Sequence, residues 1–274
     1  HVMRAASENL VPVTLELGGK SPVIISDNSN FEVSVNRIMA GKTLNAGQIC
    51  LAPDYVFVPE DKKDNFVSQS KEIISKMYPT LKENPDYTSV INQRHYDRIK
   101  SYIDEAQDRG AEVIEINPSD EDFDQQPNHK IPPTLIVNPD ENLSVMKEEI
   151  FGPVLPIKTY SDISETINYI NSKDRPLGLY YFGEDKKELD DILKNTTSGG
   201  VTINDVVFHV AQDNAPFGGV GPSGTGSYHG IEGFKNFSHA KTIYTQTKFD
   251  GLINIFRPPY GTKAKKALKM QIKP

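Results

Sequence analysis

Apolar and polar positions alternate along this chain in two periods. Val13-Thr-Leu-Glu-Leu17 has the period of two expected of a strand and breaks at Gly18-Gly19; a second short run, Val23 to Ile25, ends in the polar cluster Ser26 to Asn30. From Phe31 to Gln48 the spacing of Val35, Ile38, Met39 and Leu44 predicts a helix, with Asn30 as its N-cap. The alternation continues with strand Tyr55 to Val58, a Lys- and Glu-rich helix Glu60 to Met77, helix Gln93 to Arg109, and strands Ala111 to Ile116, Thr134 to Val137 and Val154 to Lys158. Helix Ile163 to Asn171, strand Leu177 to Phe182, helix Lys186 to Lys194 and strand Gly200 to Ile203 complete the series. Strands alternating with helices of this length predict an α/β fold with a mostly parallel sheet flanked by helices.

Three segments depart from that rhythm. The opening, His1 to Leu10, has the pattern of a helix and the look of a piece from within a longer protein. Pro118 to Pro133, rich in Asp, Gln and Pro, predicts a surface excursion. Pro216 to Gly230 is a glycine-dense loop, beyond which Lys241 to Gln246 predicts a lone strand and a basic tail follows.

Composition narrows the function classes. With 30 Lys and Arg against 37 Asp and Glu, the net charge of −7 is wrong for a nucleic-acid footprint, and the acidic residues are scattered. Mean hydropathy is −0.48, and no stretch approaches the roughly 20 apolar residues of a membrane-spanning helix. The expectation is a cytoplasmic protein without a membrane partner. One cysteine among 274 residues excludes an intrachain disulfide and a Cys-rich zinc site, and the six histidines show no paired spacing for a metal.

Cys50 sits where a helix gives way to a turn. A lone cysteine is either a small buried hydrophobe or a nucleophile, and the second role needs access and a group that takes its proton. Glu16, between Leu15 and Leu17 at a strand end before two glycines, is the candidate base, and an outward-facing strand residue is the alternative. Gly219-Val-Gly-Pro-Ser-Gly224 matches G-x-G-x-x-G but lacks the strand-to-helix setting of a dinucleotide turn. Gly19-Lys-Ser21 and Gly41-Lys-Thr43 imitate the end of a P-loop without its first glycine.

Four motifs in order, Leu15-Glu-Leu-Gly-Gly-Lys-Ser-Pro22, Gly47-Gln-Ile-Cys50, Glu149-Ile-Phe-Gly-Pro153 and Pro216-Phe-Gly-Gly219, resemble the aldehyde dehydrogenase superfamily. The ending Ser223-Gly-Thr-Gly-Ser-Tyr-His229-Gly resembles its class 3 branch, which includes fatty and coniferyl aldehyde dehydrogenases, and the bacterial coniferyl-like members in particular. The resemblance implies Cys50 as catalytic thiol and Glu16 as general base. It implies Glu149 at the nicotinamide ribose, Phe151 beside the nicotinamide, and the Leu17 and Gly18 backbone close to the same ring. His209 and Phe217 fall where the family's aldehyde entrance is shaped, and Lys20 is left structural. The implied cofactor is NAD or NADP, the implied assembly a homodimer, and the implied reaction oxidation of an aldehyde to the acid through a thiohemiacetal and a thioester. By the same resemblance residues 1–16 end a cofactor-binding domain, 17–224 form the catalytic domain, and 225–274 form a bridging strand and tail. The resemblance also implies that most of the family's cofactor domain lies outside these residues, so the chain by itself is expected to be inactive. Two other readings stand beside this one: a non-catalytic assembly domain, and an acylating enzyme that passes the thioester to coenzyme A.

Overall fold

The computed structural model describes residues 1–124, 126–251 and 253–272. Contacts divide it into two units, His1–Phe237 and Ser238–Pro274. In the first unit the chain runs α1 (Val2–Glu8), β1 (Leu15–Glu16), β2 (Ser21–Ile25), α2 (Phe31–Thr43), β3 (Pro53–Pro59), α3 (Lys63–Met77), α4 (Gln93–Asp108), β4 (Glu112–Glu115) and β5 (Thr134–Val137). It continues through α5 (Ser144–Lys147), β6 (Val154–Tyr160), α6 (Ile163–Asn171), β7 (Gly178–Phe182), α7 (Lys186–Asn195), β8 (Gly200–Ile203), β9 (Gly224–Thr225) and α8 (Gly230–Asn236).

Seven strands form one sheet in the order β4-β5-β6-β3-β2-β7-β8, parallel at every pairing except β4 with β5. The expected α/β architecture is therefore present. Central strands are apolar on both faces because both are covered. Val23 and Ile25 of β2, Val56 and Val58 of β3, and Tyr180 and Phe182 of β7 share a core with Val35, Ile38 and Met39 of α2 and Phe66 and Ile74 of α3. The intervening Ile24, Tyr55, Phe57, Leu179 and Tyr181 meet Ile167 and Ile170 of α6 and Ile192 of α7. A third cluster seats α4, through Ile99, Tyr102 and Ile103, against Ile136 and Val154.

Local differences from expectation have identifiable causes. The strand predicted over Val13 to Leu17 forms only at Leu15–Glu16, where β9 pairs with it antiparallel. The helix predicted to Gln48 stops at Thr43, because Asn45 and Ala46 (φ 51° each) and Gly47 (φ 72°) turn left-handed in succession. The Pro118 to Pro133 excursion is tied down at both ends: Glu121 caps the Leu81 and Lys82 N–H groups, and the buried Lys130 ammonium donates to Leu81 O and Asn84 O.

In the second unit the strand expected over Lys241 to Gln246 is not formed. That segment has no ladder partner among the described residues and leaves Ile243 81% and Tyr244 73% exposed, and a strand exists only where its N–H and C=O groups are paired. The unit's helix is α9 (Thr262–Gln271). No helix among the described residues is long and apolar enough to cross a membrane.

Candidate active site

Glu16 and Gly18 stand just before β2, Cys50 just before β3, Glu149 and Phe151 just before β6, and Arg175 just before β7. These four strands are adjacent and parallel, so the sheet brings segments distant in sequence together at the edge where the strands begin. Ligands in open α/β sheets ordinarily sit at the opposite, carboxyl edge.

The Cys50 loop is built by the left-handed turn that ends α2. A Cβ on Gly47 would collide with the Gly152 carbonyl, so this turn packs directly on the chain leading into β6. Gln48 fastens the loop sideways: its amide donates to Ser89 O at 2.9 Å and to Asn45 O at 3.0 Å, and its carbonyl accepts from the Ile91 N–H at 2.9 Å. The buried Tyr180 hydroxyl donates to Leu51 O at 2.6 Å. Cys50 is left half-buried.

The Glu149 loop is held with equal care. Buried Asp54 accepts from the Ile150 N–H at 2.9 Å and pairs with the Lys20 ammonium, which also donates to Val145 O (2.8 Å) and Glu148 O (2.9 Å). Arg98 grips the same backbone from α4 through Ile150 O and Glu149 O at 2.8 and 3.3 Å. Lys20 is thus occupied in tying three loops together. The Glu149 carboxylate folds onto the glycine pair: a Cβ on Gly18 would lie 2.7 Å from its Oε2, and the Gly19 N–H favours its charged form.

Electrostatics in this cluster are coupled. Burial, then the neighbouring Asp54, pushes Glu149 up to about 7. Burial also raises the Cys50 thiol, and the carboxylates of Glu149 and Glu16 raise it further, while the backbone N–H groups of Cys50 and Leu51 favour its thiolate. Glu16 is raised by burial around its carboxylate although its side chain stays open to solvent, against the lowering effects of the Gly219 N–H and of His229. Fully buried Lys42, one turn of α2 before the left-handed segment, is lowered to about 8 by desolvation, with Asp54, Lys20 and Glu149 as its charged neighbours.

Thiol and both carboxylates therefore come together. Leu17 (56% exposed) and Phe151 (39% exposed, φ 49°) are apolar side chains left open near them in sequence, next to Gly18 and Glu149 respectively. His209 and Phe217 belong to an aromatic tier: His209 Nδ1 lies 2.8 Å from Thr202 Oγ1, and its ring centroid is 6.2 Å from Tyr180 and 5.8 Å from Phe217. Phe217 is buried and stacks on His229 at 5.7 Å. Lys42, Asp54, Tyr228 and His229 also face this cluster, and the sequence reading gave none of them a catalytic or binding role.

The residues present fit a nicotinamide nucleotide. Gly18 without a side chain leaves backbone as a floor beside the Glu149 carboxylate, which is an acceptor suited to ribose hydroxyls, and Leu17 and Phe151 offer exposed apolar surface.

Residues 1–243 match the model of the aldehyde dehydrogenase family. The "Probable coniferyl aldehyde dehydrogenase" of Caulobacter vibrioides is 58% identical over 274 residues, covering 100% of this chain and 56% of the relative. Among solved structures, AldH of Staphylococcus aureus in its substrate-bound state superposes with a TM-score of 0.87 at 40% identity, covering 99% of this chain and 57% of that one. Betaine aldehyde dehydrogenase of Staphylococcus aureus, in complex with NAD+, gives a TM-score of 0.76 at 31% identity, covering 86% and 47%. The chain spans just over half the length of the curated relative. By sequence and by fold, this chain belongs to the aldehyde dehydrogenase family.

Proposed function

We propose that this chain carries the covalent steps of an NAD(P)-dependent oxidation of coniferyl aldehyde or a related aldehyde to its carboxylic acid. The observation that carries the reading is the half-buried Cys50 thiol facing two carboxylates of different environment, Glu149 near 7 and the solvent-open Glu16. The 58% identical relative from Caulobacter vibrioides is named as a probable coniferyl aldehyde dehydrogenase.

Cys50 Sγ attacks the aldehyde carbon and gives up its proton; the raised carboxylates are the bases at hand. The Cys50 N–H, which already faces its own sulfur, is the donor this chain offers to the oxyanion. Glu149 would hold the ribose, and Leu17, Gly18 and Phe151 would border the nicotinamide. The chemistry the cofactor supplies when bound is acceptance of the hydride from the former aldehyde carbon. Glu16 then takes a proton from water, whose oxygen attacks the Cys50 thioester, and the acid leaves as the thiol is regenerated. A base in this role works best with its pKa brought up toward neutrality, which is the direction burial gives Glu16.

Acyl transfer to Cys50 needs no hydride acceptor, so p-nitrophenyl acetate tests the covalent half alone. Intact-mass analysis is expected to show one acetyl group on the wild-type chain, none on Cys50→Ala, and a longer-lived adduct on Glu16→Gln. Acetylation of Cys50→Ala at the wild-type rate would remove the thiol from the mechanism.

A further inference from the structure

The loop that spells G-x-G-x-x-G, Gly219 to Gly224, is followed by the two-residue strand β9 and not by a helix, so it has no dinucleotide-turn geometry. What it does hold is Glu16. In the β1–β9 ladder Gly224 stands opposite Glu16 and Thr225 opposite Leu15, and the Leu17 N–H donates to Ser223 O at 3.1 Å. The Gly219 N–H favours the charged form of the Glu16 carboxylate, against the effect of burial. One loop therefore pairs with the backbone of Glu16 and carries the N–H that favours its ionised side chain.

The glycines are required by this closeness. A Cβ on Gly219 would collide with Ser223 O, and one on Gly224 (φ +152°) would collide with Leu15 O. Buried Ser223 closes the turn from inside: its hydroxyl accepts from the Val220 N–H at 2.9 Å and donates to Val220 O at 3.2 Å. At the loop's ends Phe217 and Tyr228 exchange both backbone hydrogen bonds at 2.8 Å, and the His229 ring stacks on Phe217. The titratable groups facing Glu16 are His229, Tyr228 and Cys50.

We propose that the Phe217 to His229 loop is the positioning element for Glu16, with Ser223 as the positioning residue that shapes the turn presenting the Gly219 N–H. The proposal rests on the reading of Glu16 as the base and adds what aims it. A hydroxyl clamp lost at Ser223 loosens the Gly219 donor, and a carboxylate that loses a hydrogen bond to its charged form titrates at higher pH.

The test compares wild type with Ser223→Ala in the complete chain. The Glu16 titration is followed by carbon NMR of labelled glutamate carboxyls, and deacylation is followed after a pulse of p-nitrophenyl acetate. The expected result is a Glu16 titration moved to higher pH, an acid limb of deacylation moved with it, deacylation slowed by about tenfold, and Cys50 acetylation unchanged. A folded Ser223→Ala with wild-type titration and deacylation overturns the proposal. Where Ser223→Ala does not fold, the same coupling is read from the other side: Glu16→Ala must speed hydrogen exchange at the Gly219 amide, and unchanged exchange overturns the proposal. If Glu16→Gln deacylates as fast as wild type, the base reading is what fails, and the titration still decides the loop.

Discussion

Lys42 and Glu149 are pushed in opposite directions by the same burial, one toward the free amine and the other toward the free acid. Glu149 at about 7, against an ordinary 4.5, binds its proton more tightly folded than unfolded. Its contribution to stability is therefore present below about 4.5 and is lost as pH rises through about 7. Lys42 at about 8, against 10.5, contributes stability above about 10.5 that is lost as pH falls through about 8. Thermal melts across pH should show the difference between wild type and Glu149→Gln falling from pH 4.5 to 7, and that between wild type and Lys42→Met rising from pH 8 to 10.5. Flat difference curves would mean the two groups titrate as in water. The resemblance pointed to Cys50, Glu16, Glu149 and Phe151 because each lies in a motif of fixed order, and the strand order brings their loops to one edge of the sheet. Lys42 was not legible, since Gly41-Lys-Thr43 reads as a failed phosphate loop; the available signal was its place on the apolar stripe Val35, Ile38, Met39.

Elements were legible where one chain segment determines them. Strands Thr134–Val137 and Gly200–Ile203 and helix Ile163–Asn171 stand where periodicity puts them, and the Asn30 cap of α2 is present with its side chain accepting from the Val33 N–H. α6 carries a complete capping box between Asp162 and Glu165, and Asp162→Ala should lower the denaturant midpoint at unchanged slope. What the sequence concealed is the end of α2. Three successive left-handed residues are dictated by the contact of Gly47 with the Gly152 carbonyl, a partner about a hundred residues away, and no local preference announces it. Gly47→Ala should lower the melting temperature and slow alkylation of Cys50 together, because helix termination and thiol placement are one event. A variant melting lower with wild-type alkylation would separate them.

For the molecule as a whole, the parallel sheet could be read from the alternation of strands and helices, whereas the lone strand over Lys241 to Gln246 could not be judged without a partner to pair it. The residues proposed above to meet a dinucleotide, Leu17, Gly18, Glu149 and Phe151, all serve its nicotinamide end. Millimolar NAD+ should accordingly raise its melting temperature by less than about 1 °C, and no NADH absorbance should develop with an aldehyde. A shift of several degrees, or turnover, would show that these residues hold the nucleotide unaided.

All of the proposed chemistry lies where β2, β3 and β6 begin, at the edge they share with β7, so the loops that leave these strands at their far ends, such as 26–30 after β2 and 183–185 after β7, stand a full strand length away. A fluorophore or surface tether attached there would report on the protein while leaving every reacting group untouched, and that edge is the natural handle for immobilising or fusing it.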